Sequence, residues 1–234
     1  MQKKPIETGE IVFQKALKIK EEFIKVYTET IKRAGSKELL EYLVKSDFFT
    51  APASTNGHCS KIGGLAEHSL NVYYRLKKLI KNEYKKESPY SEETIALCGL
   101  LHDVCKINYY KVEERNVKED GKWVQRPFYS VDDQLPYGHG EKSVYIINGF
   151  LRLTREEALA INWHMGGFDA RNLGNPYSMG ESFKRYPLCL WTHLADMGAT
   201  YFDENTALQQ AMKEKREAEE QNEIKTNESN KDGE

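Results

Sequence analysis

The sequence lacks a long apolar run and a marked excess of either charge. No stretch approaches the roughly 18 consecutive apolar residues of a membrane-spanning helix, and no signal-peptide core follows residues 1–5. The formal net charge is −2 with 30% charged residues, which gives no general basic bias toward nucleic acid. We therefore expect a cytoplasmic protein with no membrane partner and no large basic nucleic-acid surface.

Cysteine is also scarce, and its spacing excludes two common kinds of site. The four cysteines stand at positions 59, 98, 105 and 189, and no two of them form a Cys-x-x-Cys pair. This pattern excludes a zinc ribbon and a thioredoxin-type redox motif. We expect reduced thiols that lie mostly in the core.

The length of 234 residues is enough for one well-cored domain. We predict N-terminal helices over 1–50 that pack on a main domain over 51–203. The segment 204–234 has nine acidic and five basic residues and no aromatic residue. We expect this tail to be helical to about residue 220 and otherwise disordered, so that truncation just after Phe202 leaves metal binding intact.

Apolar residues recur mostly at helical spacing, which predicts an all-α fold. One helix is expected from residue 11 to about 34, followed by a second that Ser36 caps. Alternating apolar residues around Asp120-Gly121 predict a small β-hairpin over 109–131. Residues 172–183 are rich in Gly, Asn and Ser and are predicted to form a surface loop.

The pair His102-Asp103 is the most informative point of the chain. It follows the apolar run 95–101, which Ser91 introduces as a helix start, and a helix apolar all round is buried. An imidazole and a carboxylate at the end of such a helix need partners that offset their desolvation, and a shared metal ion satisfies both. The dipeptide alone is weak evidence, because this composition gives a His-Asp pair by chance in about one sequence in four.

Four more side chains of the same kind fall at predicted helix ends or inner faces: His68, His139, His164 and Asp196. A histidine on an apolar face is more often a core residue than a ligand. The aspartate, however, lies among apolar neighbours, where an unpaired carboxylate is costly. Imidazole and carboxylate together suit iron, manganese, cobalt, nickel or zinc. Six ligands are too many for one catalytic ion with an open position, whereas two ions bridged by Asp103 use the whole set.

Two neighbouring residues leave alternatives open. Lys142 lies three residues after His139, near a predicted helix start at about Val144, and this suits a phosphate-binding neighbour of a metal ligand. A solvated surface charge is an equally good explanation. His193 lies one turn before Asp196, where it could hydrogen-bond to a ligand or belong to the core.

Two motifs carry a family resemblance: Gly63-Gly64-Leu65-Ala66-Glu67-His68-Ser69 and Leu100-Leu101-His102-Asp103-Val104-Cys105-Lys106. With the order H…HD…H…H…D, they resemble the HD-domain metal-dependent phosphohydrolase superfamily over roughly residues 50–203. The surroundings of His58, His139 and Asp196 look most like the HD domain of bacterial 3′–5′ exoribonucleases. The complete ligand set is also similar to that of HD-type diadenosine tetraphosphate hydrolases.

The resemblance implies a helical bundle and an activity. It implies metal ligands at His68, His102, Asp103, His139, His164 and Asp196, holding divalent ions of iron, manganese, cobalt, nickel, zinc or magnesium. Asp103 and Lys106 would be catalytic: the metal pair activates a water for attack on phosphorus, and the lysine stabilises charge. Lys142 and Arg171 would neutralise the phosphate, and His58 would contact the substrate.

One difference from those relatives narrows the range of expected substrates. The exoribonucleases carry an oligonucleotide-binding barrel before the HD domain, whereas residues 1–50 here have a helical pattern. We therefore expect a small nucleotide or a short oligonucleotide as substrate. An exoribonuclease-like nuclease and a catalytically silent, nucleotide-binding regulatory module remain the alternatives, and the sequence leaves the oligomeric state open.

Overall fold

The structure is a computed structural model that describes residues 5–174, 177–205, 208–212, 214 and 215. Within these residues the chain is mainly helical, with a single two-stranded antiparallel hairpin, so the predicted all-α fold with a hairpin excursion is confirmed. No described helix is both long and apolar enough to cross a bilayer. The elements are α1 Glu10–Thr30, α2 Ser36–Lys45, α3 Gly64–Tyr84, α4 Glu92–Leu101, β1 Tyr110–Glu119, β2 Lys122–Val131, α5 His139–Asn148, α6 Arg155–Asn162, α7 Tyr177–Arg185 and α8 Pro187–Gly198.

Helix α4 is the centre of the fold. All of its residues from Ile95 to Leu101 are buried, as its continuous apolar run predicts. It lies so close to α3 that a Cβ added to Gly99 would come within 2.5 Å of the Cα of Tyr73. Helix α3 also packs against α1 and α8. This arrangement carries the C-terminal end of α4, and with it His102, into the middle of the domain.

The N-terminal helices share this core, since Phe23 and Leu39 belong to the same buried cluster as the α3 and α4 side chains. Helix α1 ends at Thr30 rather than near residue 34. The cause is Glu93, whose carboxylate accepts the backbone N–H groups of Lys32 and Arg33 at 2.7 and 2.8 Å. The cap of α2 also differs from the prediction: Ser36 is its first residue and its side chain makes no capping bond.

The predicted capping box of α6 is confirmed and belongs to a larger network around Glu157. The hydroxyl of Thr154 accepts from the backbone of Glu157, and the Glu157 carboxylate accepts the Thr154 N–H at 2.8 Å. The same carboxylate accepts both terminal nitrogens of Arg33 at 2.7 and 3.0 Å, and the hydroxyl of Thr94 at 3.0 Å. Glu157 thus ties the end of α1, the start of α4 and the start of α6 together.

We predict that Glu157→Ala lowers the free energy of unfolding by about 3 kcal/mol, because it removes the nearer carboxylate partner of the partly buried Arg33 guanidinium, whose other carboxylate partner, Glu93, lies at 3.3 Å, and also the acceptor of the Thr154 N–H. A chain of this size should then melt roughly 6–12 °C earlier in circular dichroism. Burial acts to raise the pKa of Glu157, but Arg33 and the Thr154 N–H outweigh it and lower the pKa. The stabilisation is therefore present above the ordinary glutamate pKa and lost as pH falls through the lowered value. Glu41→Ala, on the exposed face of α2, is the control; equal melting of the two variants would contradict the role of Glu157.

The hairpin forms where the alternation predicted it. Strands β1 and β2 pair in register from Tyr110 with Val131 to Glu119 with Lys122. Asp120 and Gly121 have φ values of 49° and 81°, the backbone of a tight two-residue turn. The hydroxyl of Tyr110 donates to the carbonyl of Ala53 at 3.1 Å, so the base of the hairpin is fixed to the helical body.

Two other boundaries differ from the sequence prediction. Helix α5 begins at His139 instead of near Val144, with the Gly138 carbonyl accepting its first hydrogen bond, from Lys142 N–H at 2.7 Å. Helix α7, Tyr177–Arg185, occupies most of the predicted loop 172–183. Its Phe183 ring stacks on His193 of α8 at 5.8 Å, a tertiary contact that composition does not reveal. The predicted disordered end, residues 221–234, lies outside the described residues.

Candidate metal centre

His102 and His164 are presented in the same way, each just beyond the C-terminal end of a helix. The Nδ1 of His102 bonds to the carbonyl of Gly99 at 2.9 Å, and the Nδ1 of His164 to that of Ile161 at 2.7 Å. Helix ends leave such carbonyls without partners. Because a carbonyl only accepts, each Nδ1 carries the hydrogen and each Nε2 keeps a lone pair. Both rings are fully buried, so two metal-binding nitrogens point into the interior.

His68 of α3 supplies a third nitrogen. Its Nδ1 donates to the carboxylate of Glu204 at 2.8 Å, and its Nε2 lies 3.2 Å from the Nε2 of His102. Two imidazole lone pairs this close repel unless a proton or a metal cation lies between them. Burial acts to lower the pKa of His68, but the carboxylates of Glu204 and Asp196 outweigh it and raise the pKa to about 10. The position therefore strongly favours a positive charge.

Asp103 lies between two pairs of histidines. Its Oδ1 is 2.9 Å from the Nε2 of His139 and 3.5 Å from the Nε2 of His164. Its Oδ2 is 3.4 Å from the Nε2 of His102 and 3.6 Å from the Nε2 of His68. Each oxygen of one carboxylate thus faces its own pair of imidazoles, which is the arrangement expected of a ligand shared by two ions.

Asp196 of α8 completes the set. Its Oδ1 is 3.2 Å from the Nε2 of His68, and although burial acts to raise the pKa of Asp196, that imidazole lowers it, so the group is a carboxylate. The Nε2 of His164 is buried without a hydrogen-bond partner, as expected of an atom reserved for a cation. The ligand atoms form three mutually close groups: His68, His102 and Asp103; His102, His164 and Asp196; and Asp103, His139 and His164. The six predicted side chains therefore meet in one buried cluster whose donors fit divalent transition-metal ions.

Lys106 lies beside this cluster on the short 3₁₀ turn Val104–Lys106 that follows the His-Asp pair. Its Nζ donates to the Oδ2 of Asp103 at 2.6 Å. Burial acts to lower the pKa of Lys106, but the Asp103 carboxylate outweighs it and raises the pKa, so the side chain stays an ammonium. An ammonium cannot bind metal, and this one is available to an anion above the cluster.

A cavity of about 400 Å³ opens onto the cluster. Its walls include His58, Lys106 and four of the six clustered residues. The ring of His58 lies 4.7 Å from that of His68. Burial, together with the charge at His68, lowers the pKa of His58 to about 4, so its imidazole is neutral at pH 7. The structure thus places His58 in the wall of the cavity, and its contact with a substrate stays a prediction.

Lys142 and Arg171 are not brought to this cavity, contrary to the predicted phosphate contacts. The Nζ of Lys142 bonds to Asp133 at 2.5 Å, and the side chain borders a separate groove of about 700 Å³. The alternative of a solvated surface charge is also wrong, since the residue is only 4% exposed. Arg171 bonds to Asp169 and Glu141 at 2.5 and 2.7 Å. Both cations are neutralised by carboxylates that their sequence positions did not single out.

Two supporting residues went unassigned in the sequence. Glu204 stands at the start of the predicted tail, yet its side chain is only 2% exposed and accepts from His68 and from Asn71 at 3.0 Å. His193, left open between two roles, supports a candidate ligand: its Nδ1 donates to the backbone carbonyl of His164 at 2.7 Å, while its half-buried ring stacks on Phe183. Truncation after Phe202 would remove Glu204, so we revise the expectation that it spares metal binding and expect the shortened chain to bind metal more weakly.

We predict that Glu204→Gln weakens metal affinity about 10- to 100-fold, because a carboxylate behind a metal-binding histidine fixes its tautomer and raises its basicity. Competition with a coloured chelator measures the change. Glu214→Gln, in the exposed helical segment further along the chain, is the matched control. Equal affinity of the Glu204 variant and the wild type would show that the His68 tautomer is set by other contacts.

Comparison with known proteins agrees with this geometry. The family model described as HD domain matches residues 65–223. The searches of curated proteins and of solved structures gave no match. The family match covers more than half of the chain and includes all six clustered residues. The chain therefore belongs to the HD-domain family, whose members are typically metal-dependent phosphohydrolases.

Proposed function

We propose that this protein is a metal-dependent phosphohydrolase that cleaves a phosphoester or phosphoanhydride bond of a nucleotide or short oligonucleotide. The observation that carries the proposal is the position of Asp103, whose two oxygens face separate pairs of imidazoles beneath an open cavity. A purely structural metal site would be closed off, whereas this one is bordered by a lysine and by space for a ligand.

The six clustered residues would hold two divalent ions, with Asp103 shared between them. When bound, the ions would supply a hydroxide nucleophile at neutral pH and neutralise charge on the phosphate. Burial of His102 and His164 keeps water away from their nitrogens, and the Gly99 and Ile161 carbonyls hold each ring in its metal-binding tautomer. No side-chain nucleophile is required.

Lys106 and His58 act on the substrate side of the cluster. The ammonium of Lys106 offers a donor to a phosphate oxygen and stabilises the charge that develops there. The neutral ring of His58 can accept or donate a hydrogen bond to the ester portion of a substrate that enters the cavity. Because Lys106 already bonds to Asp103, its position is fixed before the substrate arrives.

The principal alternative is a catalytically silent module that binds a nucleotide and regulates a partner. Such modules would be expected to have lost part of the ligand set, and all six ligand positions are occupied here by His or Asp. An exoribonuclease-like nuclease shares the chemistry of the site and differs in substrate length. Both alternatives are outcomes of the same experiment.

The test is a hydrolysis screen of the full chain stripped with a chelator and reloaded with Mn²⁺, Co²⁺, Mg²⁺ or, anaerobically, Fe²⁺. The substrates are nucleoside mono-, di- and triphosphates and labelled oligonucleotides of two to twenty residues. We expect hydrolysis of at least one phosphate ester or anhydride, loss of activity after chelation and recovery on reloading. Tight nucleotide binding without turnover under any metal would replace the proposal with the regulatory alternative.

A further inference from the structure

We infer that the cavity recognises nucleotides whose reacting phosphate carries no further phosphate group, and that Phe168 and Tyr201 stack on the base. The inference rests on the proposed function and names its substrate class. This substrate class includes nucleoside monophosphates and dinucleotides joined by a single diester link. The cavity disfavours nucleoside di- and triphosphates.

The first argument is the charge that the cavity offers. Among the described residues that line it, Lys106 is the one lysine or arginine. The nearby cations Lys142 and Arg171 are already paired with Asp133 and Asp169. Within the part of the chain that the structure describes, no second lysine or arginine reaches the cavity, whereas proteins usually surround a di- or triphosphate with several cations.

The second observation is the charge that the metal centre would have with two ions bound, which also favours a substrate with a single phosphate group. Two bound divalent ions would be partly neutralised by the carboxylates of Asp103 and Asp196. Once Lys106, the nearby carboxylate of Glu204 and the hydroxide that the ions would supply are included, an excess of about one positive charge would remain. A single phosphate group, with one or two negative charges, matches this excess. A triphosphate would bring charge that no described residue of the cavity neutralises.

The second argument is the apolar side of the cavity. Phe168 and Tyr201 line it and are 63% and 53% exposed. They come from different parts of the chain, the 3₁₀ turn Gly166–Phe168 and the π-helical turn Ala199–Asp203 after α8. Large exposed aromatic side chains that border a functional cavity are the usual platform for a nucleobase, since every base has a flat π-face.

The other residues that line the cavity are also compatible with a base bound beside a phosphate. Tyr109 and Tyr110 also line the cavity, and their rings meet edge to face at 4.9 Å. Met165 and Met197 add flexible, polarisable surface. The volume of about 400 Å³ lies in the lower part of the range for small-molecule sites, so one nucleotide unit fits and a duplex does not.

The experiment compares kcat/KM of the metal-loaded full chain for four probes. These are a nucleoside 5′-monophosphate, the corresponding triphosphate, a dinucleotide with one internal diester link, and ribose 5-phosphate, which lacks the base. We expect the better of the monophosphate and the dinucleotide to exceed the triphosphate at least about tenfold. We expect the monophosphate to exceed ribose 5-phosphate by about 5- to 150-fold, the usual effect of stacking one base.

Alanine variants of the two aromatic residues then test where the base binds. Phe168→Ala and Tyr201→Ala should each raise KM for the preferred nucleotide several-fold and leave KM for ribose 5-phosphate unchanged. The matched control is Trp123→Ala, which removes a 71% exposed aromatic ring outside this cavity and should change neither value.

Three results would overturn the inference. These are a triphosphate turned over as well as the single-phosphate nucleotides, equal and measurable rates for ribose 5-phosphate and the monophosphate, or unchanged KM values in both aromatic variants. Each of these requires turnover and so leaves the hydrolase activity standing. Absence of turnover with every probe and every metal would overturn the proposed function itself, and the inference with it.

Discussion

Replacing Asp103 with Ala should empty the metal centre and lower hydrolysis at least about a thousandfold, because the ions supply several kcal/mol of the lowering of the barrier. The reason is geometric: Oδ1 lies near His139 and His164, while Oδ2 lies near His68 and His102. Among the described carboxylates, that of Asp103 alone lies within 4 Å of ring nitrogens from both pairs; Asp196 comes that close to His68 only. The turnover rate and the metal content, measured by inductively coupled plasma mass spectrometry, should therefore fall together.

The control for this variant is Asp132→Asn, at an exposed position just after the hairpin. It should retain both metal and activity. Circular dichroism of both variants establishes whether the helical fold is kept. If a folded Asp103→Ala protein held its full metal content and hydrolysed at the wild-type rate, the bridging role of Asp103 would be wrong.

Replacing Lys106 with Ala should produce a different failure. An ammonium cannot ligate metal, so both ions should stay, while loss of one charge-stabilising contact of about 2–4 kcal/mol slows hydrolysis roughly 30- to 1000-fold. Lys106→Arg should recover part of the rate because it restores the positive charge. Loss of metal from a folded Lys106→Ala variant would show that the lysine supports the centre rather than the substrate.

The six clustered residues were accessible from the sequence because they recur together at predicted helix ends and inner faces and match the order of a known family, although no one of them is decisive alone. His102 and Asp103 end a helix apolar all round, and Asp196 stands among apolar neighbours, so each needs a buried partner. The turn at Asp120-Gly121 likewise marks the hairpin through its backbone requirement alone. Short-range patterns of this kind are visible without any knowledge of tertiary contacts.

The residues whose roles the sequence did not predict correctly are positioned by contacts between distant parts of the chain. Glu204 bonds to His68 across 136 positions, and nothing in the charged sequence around it marks this glutamate as one whose side chain is buried. The sequence predicted that Lys142 and Arg171 contact the phosphate. It could not show that they pair with Asp133 and Asp169 instead, because loop geometry decides that pairing. The early end of α1 has the same origin, since Glu93 takes the N–H groups of Lys32 and Arg33.

The central claim, two ions shared by one aspartate, is tested most directly by anomalous diffraction from crystals of the Mn²⁺-loaded chain. The account predicts two peaks about 3.5–4 Å apart. One should lie beside Oδ1 of Asp103 with His139 and His164, and the other beside Oδ2 with His68 and His102. A single peak at full occupancy, or two peaks that do not share Asp103, would contradict it.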